Sequence, residues 1–239
     1  LIPATYLANF KAIETLKGNF ARSKHGIWLR NVILTLQLII SSFFIIASLI
    51  VSSQVKHMMD KDLGFNGKQV YLVTFSENVP QPWLKYERIK NEMRKIEGVA
   101  DVSYGEAVAG SYRYSNSNMD YMDKTIYAQH GSMDYDYLKF MGVKLKSGRW
   151  LDSKLASDTI NNVLVNETFV KQFGWNDNQA FKNEFRPGFD EKPYKIVGIV
   201  KDFNIQSLKT AVEPMIFFHY RATSWKRYNV YNIQLKIKP

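Results

Sequence analysis

An uncharged apolar stretch over residues 31–55, NVILTLQLIISSFFIIASLIVSSQV, constrains this chain more than any other feature. It contains no charged residue, proline or glycine, and Arg30 and Lys56 bound it. As a helix rising about 1.5 Å per residue, it is somewhat longer than the roughly 30 Å hydrocarbon core of a bilayer. A buried core helix rarely runs this long without a charge, and a signal peptide has a shorter apolar region. The sequence therefore predicts a transmembrane helix at 31–55.

The charges before this stretch predict its orientation. Only Glu14 opposes a set of basic residues within positions 1–30, namely Lys11, Lys17, Arg22, Lys24 and Arg30. Basic residues concentrate on the cytoplasmic side of membrane helices. We therefore expect residues 1–30 to be a cytoplasmic juxtamembrane segment. Residues 56–239 are then expected outside the bacterial inner membrane, in the periplasm.

Four polar residues break the apolar character of the predicted span. Gln37, Ser41, Ser48 and Ser52 are spaced so that they share one face of a helix. A glutamine at this depth is costly against lipid and tolerable against another helix. These four residues are therefore helix-packing candidates, and we expect other transmembrane helices as their partners.

Composition indicates a folded protein and excludes several kinds of site. Of the 239 residues, 46% are hydrophobic and 14% aromatic, so disorder is not expected to dominate. The absence of cysteine excludes a disulfide framework and a thiolate metal site. The net charge is +10, and a second basic excess near the end of the chain would suggest nucleic acid in a soluble protein; it comprises Lys209, Arg221, Lys226, Arg227, Lys236 and Lys238 against Glu213. In a domain beyond the membrane, headgroup contact or solubility explains it better, and we expect no nucleic-acid partner.

The first part of the domain has the pattern of an α+β unit. Residues 70–75, VYLVTF, predict a strand, and residues 99–104 predict a second. Between them, residues 83–96 predict an amphipathic helix with Leu84, Ile89, Met93 and Ile96 facing inward. A helix between two strands is expected to cover a sheet.

The later part of the chain has a mixed pattern. Residues 105–133 are small and polar, which predicts a loop or a flexible insertion. Asn166 is a predicted N-cap for a helix over 167–173 that ends at Gly174. A short helix at 134–141 and four strands are also predicted, the strands at 163–165, 192–200, 215–220 and 229–237.

No residue pattern points to an enzyme or to a cofactor. The chain has no phosphate-binding Gly-x-x-x-x-Gly-Lys-Ser/Thr loop, and its four histidines have no metal-ligand spacing. The carboxylate pairs Asp120/Asp123 and Asp134/Asp136 have polar neighbours, which favours solvated loops over a catalytic pair.

Tyrosines cluster in the polar stretch, and three of them are partner-contact candidates: Tyr112, Tyr114 and Tyr121. Tyrosine-rich polar surface is common where one protein meets another. Packing within a loop-rich subdomain is the alternative.

Several segments together resemble one family, the MacB/FtsX-like permeases of ABC transporters. They are PATYLANFK at 3–11, LKG at 16–18, Gln37 and Ser41 in the span, KDLGFN at 61–66, GRW at 148–150, VLVNE at 163–167, FGW at 173–175, VGIVKDFN at 197–204 and EPMIF at 213–217. Taken in order, these segments cover nearly the whole chain, and the resemblance is weakest between residues 105 and 135. The chain is similar to the second half of an eight-span permease.

The resemblance implies a fold and a set of partners. The fold class is α+β, with one N-terminal transmembrane helix followed by a periplasmic MacB-like core domain. The resemblance divides that domain into a porter-like α/β subdomain, from 68–104 plus 206–239, and an inserted sabre-like subdomain at about 105–205. It implies a separate cytoplasmic ATPase subunit, a periplasmic protein partner, and coupling of ATP hydrolysis to motion in the periplasm, for export or mechanotransmission. It transfers no catalytic residue.

Two other functions fit a domain outside one membrane span. A membrane-anchored extracytoplasmic sensor domain of a signalling receptor is the alternative, but a receptor usually has its effector beyond a second span. An envelope enzyme with a signal anchor is disfavoured because no catalytic constellation is visible in the sequence.

Overall fold

The computed structural model describes residues 24–67, 69–74, 81–106, 115–204, 210–223 and 230–238. These belong to two compact units, one ending at Lys61 and the other beginning at Asp62. The first unit contains one described helix, α1 (Lys24–Asp60). The second unit contains β1 (Val70–Thr74), α2 (Pro82–Met93), β2 (Val99–Ser103), β3 (Ser115–Tyr121), β4 (Lys124–Met133), α3 (Tyr137–Phe140), β5 (Leu145–Gly148), a 3-10 turn (Ala156–Thr159), β6 (Asn162–Asn166), α4 (Glu167–Phe173), α5 (Asp177–Lys182), β7 (Glu184–Pro187), β8 (Tyr194–Val200), β9 (Met215–His219) and β10 (Asn232–Ile237).

Helix α1 contains the whole predicted span. It is 37 residues long, and among the described residues it is the helix long and apolar enough to cross a membrane. Its apolar side chains are exposed, with Leu38 at 69% and Phe43 at 66%. Gln37 and the three serines of the polar face are exposed as well. Their packing against other helices therefore stays a prediction.

Helix α2 packs on a three-stranded antiparallel sheet in the order β1-β10-β2. The predicted strand, helix and strand are confirmed, and β10 lies between the two strands. Tyr86, Val102 and Ile233 are buried in the core of this layer. The predicted inner face of this helix was wrong in part, because Leu84 is half exposed and Ile96 is an exposed residue beyond the end of α2 at Met93. Tyr86 is the fully buried aromatic residue of this helix, and it packs in the core beside Val102 and Ile233 of the sheet.

The second sheet has seven strands in the order β5-β8-β6-β9-β4-β3-β7. An additional pairing of β7 with β8 closes six of these strands into a ring. Strands β5 and β7 share one edge of β8, with β7 at Tyr194 and Lys195 and β5 from Gly198 to Val200. Buried side chains such as Val165, Phe169, Ile196 and Phe218 form the main hydrophobic core of this sheet.

The prediction of a loop over 105–133 was wrong for its described part. Strands β3 and β4 form an antiparallel hairpin, and its turn contains Met122 in the left-handed region at φ 51°. Strand β3 is polar, and Met119 is its one buried residue. Backbone pairing to β4 on one side and β7 on the other holds it in place, so the strand needs few apolar side chains.

The two strands predicted to close the porter-like subdomain are present but separate. Strand β10 pairs with β1 and β2. Strand β9 pairs instead with β4 and β6 in the seven-stranded sheet. All five residues of β9 are buried, and this suits a strand with neighbours on both edges. The division of the chain into two subdomains stays a prediction.

The capping signals at α4 are confirmed. Asn166 accepts a hydrogen bond from the Phe169 backbone N–H at 3.0 Å, and Gly174 ends the helix at φ 77°. The side chain of Asn166 also joins α4 to β9, because it accepts from Met215 N at 2.9 Å and donates to Glu213 O at 2.9 Å. One amide side chain therefore fixes the start of a helix and its position against the sheet.

Candidate functional site

The predicted partner-contact residues are only partly within the described structure. Tyr112 and Tyr114 lie outside the described residues. Tyr121 ends β3 and packs edge-on against Trp175, with ring centroids 4.9 Å apart, and against Phe173. Its ring therefore contributes to packing, and its role in contacting a partner stays a prediction.

The segment that follows α1 docks directly on the domain. We call residues 62–66 the docking segment; only Lys61 separates it from the last residue of α1. The Asn204 backbone N–H donates to Leu63 O at 2.8 Å, and Asn66 N–H donates to Met141 O at 2.6 Å. The ring of Phe65 packs against the hydrophobic cluster that contains Met141. Backbone and side chain thus both attach this segment.

Gly64 allows the docking segment to approach the chain so closely. Its φ is +78°, in the left-handed region that favours glycine. A Cβ atom at this position would lie 2.9 Å from the Asp202 carbonyl oxygen and 2.9 Å from the Phe203 Cβ. The Asp62 carboxylate also holds this turn, because it accepts a hydrogen bond from the Gly64 backbone N–H at 2.9 Å. Two motifs that are distant in sequence, KDLGFN and VKDFN, therefore meet here.

Asp202 connects this contact to α4. Its carboxylate accepts hydrogen bonds from the Thr168 backbone N–H at 3.1 Å and from Thr168 Oγ1 at 2.8 Å. The Asp202 N–H in turn donates to Glu167 Oε2 at 3.3 Å. A continuous set of contacts therefore runs from the docking segment through residues 201–204 to the first turn of α4.

A cavity of about 410 Å³ lies beside the docking segment. Its lining comes from the docking segment and from two chain segments near the end of β8. The lining residues are Asp62, Leu63, Gly64, Phe65, Asn66, Gly142, Lys144, Lys201, Asp202 and Asn204.

A buried ion pair joins α2 to the seven-stranded sheet. Asp134 follows β4, is only 6% exposed, and accepts hydrogen bonds from the Tyr86 hydroxyl and, at 2.5 Å, from Lys90 Nζ. Burial alone would raise the pKa of Asp134, but the Lys90 ammonium and the hydrogen bonds lower it below its usual value. The prediction that Asp134 lies in a solvated loop was wrong, because α2 covers it.

Three tyrosine rings pack edge-on around this ion pair. Tyr86, Tyr104 and Tyr220 have ring centroids 5.7 to 5.8 Å apart. The Tyr220 hydroxyl donates to Glu87 at 2.7 Å, and the Tyr104 hydroxyl lies 3.1 Å from Ser132 Oγ. Burial raises the pKa of all three phenols, so they stay neutral. The cluster joins α2, β2 and the ends of β4 and β9.

His219, the last residue of β9, faces the same ion pair. Its ring is buried and stacks on Tyr135 with centroids 4.1 Å apart. Its Nε2 atom lies 3.9 Å from Asp134 Oδ1 and makes no hydrogen bond within the structure. Burial lowers the pKa of His219 to about 4, so the ring is neutral at pH 7.

Sequence reasoning missed the ion pair because its members are far apart along the chain. Tyr86 and Lys90 lie 48 and 44 positions from Asp134. One local signal was present: Lys90 is four residues after Tyr86, so both occupy the same face of α2. A lysine on the buried face of a helix requires an acidic partner.

Comparisons with known proteins agree with the resemblance seen in the sequence. Residues 32–239 match the MacB-like periplasmic core domain family. No curated protein sequence matches the chain significantly. Among solved structures, the periplasmic region of MacB from Actinobacillus actinomycetemcomitans superposes with a TM-score of 0.51 at 15% identity, covering 76% of this chain and 80% of that one. The extracellular domain of the ABC-type transporter YknZ from Gram-positive bacteria gives a TM-score of 0.49 at 11% identity, with coverages of 70% and 82%.

The family match covers α1 from residue 32 onward and all of the second unit. The superposition on the MacB periplasmic region supports the same mixed helix and strand fold. The chain belongs to the MacB-like periplasmic core domain family, whose members are domains of ABC-transporter-type permeases.

Proposed function

We propose that this chain is part of a permease that couples cytoplasmic ATP hydrolysis to conformational change in the periplasm. A separate cytoplasmic ATPase subunit supplies the hydrolysis, and this chain catalyses no reaction. Helix α1 crosses the inner membrane with its N-terminal end in the cytoplasm. The basic excess within residues 1–30 and the family match support this arrangement.

The docking segment is the observation that carries the proposal. Because only Lys61 lies between α1 and Asp62, the connection has little slack. The segment is attached through the backbone bonds of Leu63 and Asn66 and through the close approach at Gly64. A displacement of the end of α1 therefore acts on residues 201–204 and, through Asp202, on α4.

The ion pair at Asp134 gives the domain a second connection. It ties α2 and its three-stranded sheet to the end of β4, and the tyrosine cluster adds packing around it. Motion that enters at the docking segment is thereby shared between both sheets. The two connections together let the domain respond as one body.

An insertion experiment tests the coupling. In the full-length permease, reconstituted with its ATPase in proteoliposomes, four Gly/Ser residues are inserted between Lys61 and Asp62. The added slack is expected to leave basal ATP turnover intact and to abolish its response to the state of the periplasmic domain. That state is varied by cross-linking the domain through introduced cysteine pairs, since residues 1–239 contain no cysteine of their own.

The same insertion after Ser153, in an exposed turn, is the matched control and is expected to preserve the response. Equal responses in the two insertion variants would contradict transmission through the docking segment. Recovery of a kinase-like effector instead of an ATPase in pull-downs would replace the permease with the receptor alternative.

A further inference from the structure

The two nitrogens of the buried His219 ring have different surroundings. Its Nδ1 accepts a hydrogen bond from the Arg221 backbone N–H at 3.2 Å. A ring nitrogen that accepts carries no proton, so the proton of the neutral ring is on Nε2. That N–H makes no hydrogen bond within the described residues, and Asp134 Oδ1 lies 3.9 Å away. One nitrogen of this buried ring is therefore satisfied and the other is not.

The satisfied nitrogen holds the turn that follows β9. Within this turn the Ala222 N–H also donates to His219 O at 2.8 Å. The turn carries two side chains to the same carboxylate of α2. The Tyr220 hydroxyl donates to Glu87 at 2.7 Å, and the Arg221 guanidinium forms an ion pair with Glu87. We call these two contacts the Glu87 clasp, and the bond to His219 Nδ1 helps to position both of its side chains.

The unsatisfied nitrogen lies beside another attachment of α2. Asp134 Oδ2 accepts hydrogen bonds from two side chains of this helix, the Tyr86 hydroxyl and, at 2.5 Å, Lys90 Nζ. The other oxygen of the same carboxylate is the one that faces His219 Nε2. The His219 ring therefore adjoins two polar attachments of α2, the Glu87 clasp through Nδ1 and Asp134 through Nε2.

The groups around His219 keep the ring neutral at pH 7. Burial lowers its pKa to about 4, the Asp134 carboxylate acts against this shift, and the Arg221 and Lys90 cations add to it. The rings of Tyr135 and Tyr220 pack on the imidazole with centroids 4.1 and 4.2 Å away. The titratable and charged groups of the surrounding elements are Asp134 and Tyr135 after β4, Tyr86, Glu87 and Lys90 on α2, Asp136 beyond Lys90, and Tyr220 and Arg221 after β9.

Protonation of this ring acts on both attachments at once. A proton on Nδ1 takes the lone pair that accepts the Arg221 N–H, so the turn after β9 loses that bond. The positive ring also repels the Arg221 guanidinium. At the same time it attracts the Asp134 carboxylate and so competes with Lys90 for that charge. Each of these effects weakens the attachment of α2.

We propose that His219 is an acid-operated release for α2. Its protonation frees the turn after β9 and draws on Asp134, so that α2 and its three-stranded sheet open from the seven-stranded sheet. The ring of strands has a hydrophobic core of its own and stays closed. The inference concerns the second unit alone and does not depend on ATP coupling.

Amide hydrogen exchange of the 239-residue protein in detergent, at pH 7 and pH 5, tests the proposal. Each rate is corrected for the chemical exchange rate of an unstructured amide at the same pH. The folded pKa of about 4 against an ordinary value of about 6.5 makes the opening equilibrium rise about 20-fold over this interval. Protection in α2 and β2 is expected to fall by that factor, and β6 and β9 are expected to stay protected.

Two histidine variants assign the effect to this ring. His219→Asn does not titrate and keeps a side-chain acceptor for the Arg221 N–H, so its α2 protection is expected to be equal at both pH values. His57→Asn removes an exposed histidine of α1 and is expected to show the full fall of the parent. Thermal unfolding at pH 7 checks that the variants fold, and His219→Gln takes the place of a His219→Asn variant that does not.

Three results would overturn the proposal. The first is constant α2 protection in the parent between pH 7 and pH 5. The second is an equal fall in the parent and in the His219 variant, or the loss of the fall in His57→Asn, since either would assign the effect to another group. The third is a fall spread evenly over both sheets, which would mean that acid destabilises the whole domain and does not release α2.

Discussion

Gly64 is the residue on which the close contact of the docking segment depends. In Gly64→Ala, the alanine must keep the left-handed φ of +78°. Its Cβ would lie 2.9 Å from the Asp202 carbonyl oxygen and 2.9 Å from the Phe203 Cβ. We expect this change to lower the free energy of unfolding by about 3 kcal/mol, from backbone strain plus overpacking. Chemical denaturation of the whole chain measures the loss.

Gly98 supplies a control with the same backbone strain and no clash. Its φ is +89°, and a Cβ there would meet no atom within 4 Å. Gly98→Ala is therefore expected to cost only about 1 kcal/mol. If both variants lose the same stability, the close approach at Gly64 contributes nothing.

His219 is expected to make the domain less stable as the pH falls from 7 to 5. Its folded pKa is about 4, below the ordinary histidine value of about 6.5, so between these values the unfolded chain binds a proton that the folded chain does not. Stability is therefore lost as pH falls through this window, by about 2 kcal/mol between pH 7 and pH 5.

In the parent, the Arg221 backbone N–H donates to His219 Nδ1 at 3.2 Å. The variant His219→Asn removes the titrating ring and keeps a side-chain acceptor for this N–H. Denaturation at pH 7 and at pH 5 is compared for parent and variant. The variant is expected to show a smaller pH dependence, and an unchanged dependence would show that another group is responsible. Asp134 does not confuse the comparison, because its pKa is lowered from its usual range and its own effect therefore appears at more acidic pH.

At the scale of elements, Asn166 is the cap with the most connections. Asn166→Ala removes the cap of α4 and also leaves Met215 N–H and Glu213 O without their partner. We expect a loss of about 3 kcal/mol, from one cap and two further hydrogen bonds. Thermal or chemical denaturation measures it.

Asn176 provides the comparison, since it caps α5 through a capping box with Gln179 and its side chain has no bond to another element among the described residues. Asn176→Ala is expected to cost about 1 kcal/mol. Similar losses for the two asparagines would contradict a role for Asn166 in fixing α4 against β9.

Elements with local signals were predictable from the sequence. The span needs only its uncharged apolar length, and α4 is bounded by Asn166 and Gly174. The hairpin of β3 and β4 was not predictable, because β3 is polar and is held by backbone pairing on both edges. Helix α5 was missed for a similar reason: it is short and surrounded by polar residues, although Asn176 and Gln179 form its capping box.

At the scale of the whole domain, the ring of strands could not be read from the sequence. It depends on β7 pairing with the first residues of β8 while β5 pairs with the last ones, which is a matter of register. The placement of β9 and β10 in different sheets likewise depends on long-range strand pairing. Strand β9 is a fully buried run and β10 alternates polar and apolar residues, but neither pattern identifies the long-range partners of the strand. The docking segment was visible as the motif KDLGFN, but its contact with VKDFN was not.

The ion pair at Asp134 leads to a prediction about how the two sheets are joined. Asp134→Asn leaves Lys90, whose side chain is 12% exposed, without its closest carboxylate; Asp136 remains at 3.4 Å. Breaking a buried pair in this way is expected to cost about 3 kcal/mol. Because the pair lies between α2 and the seven-stranded sheet, amide hydrogen exchange is expected to rise in α2 and β2, and β6 and β9 are expected to stay protected.

The control is Asp101→Asn, which removes a partner of Arg94 at a pair whose side chains are both 39% exposed. Surface pairs contribute about 0–1 kcal/mol, so its exchange pattern is expected to match the parent. Faster exchange spread evenly over both sheets in Asp134→Asn would mean that the pair supports the whole domain. Faster exchange confined to α2 and the three-stranded sheet would identify Asp134 as the joint between them, because the ring of strands would keep its own stability.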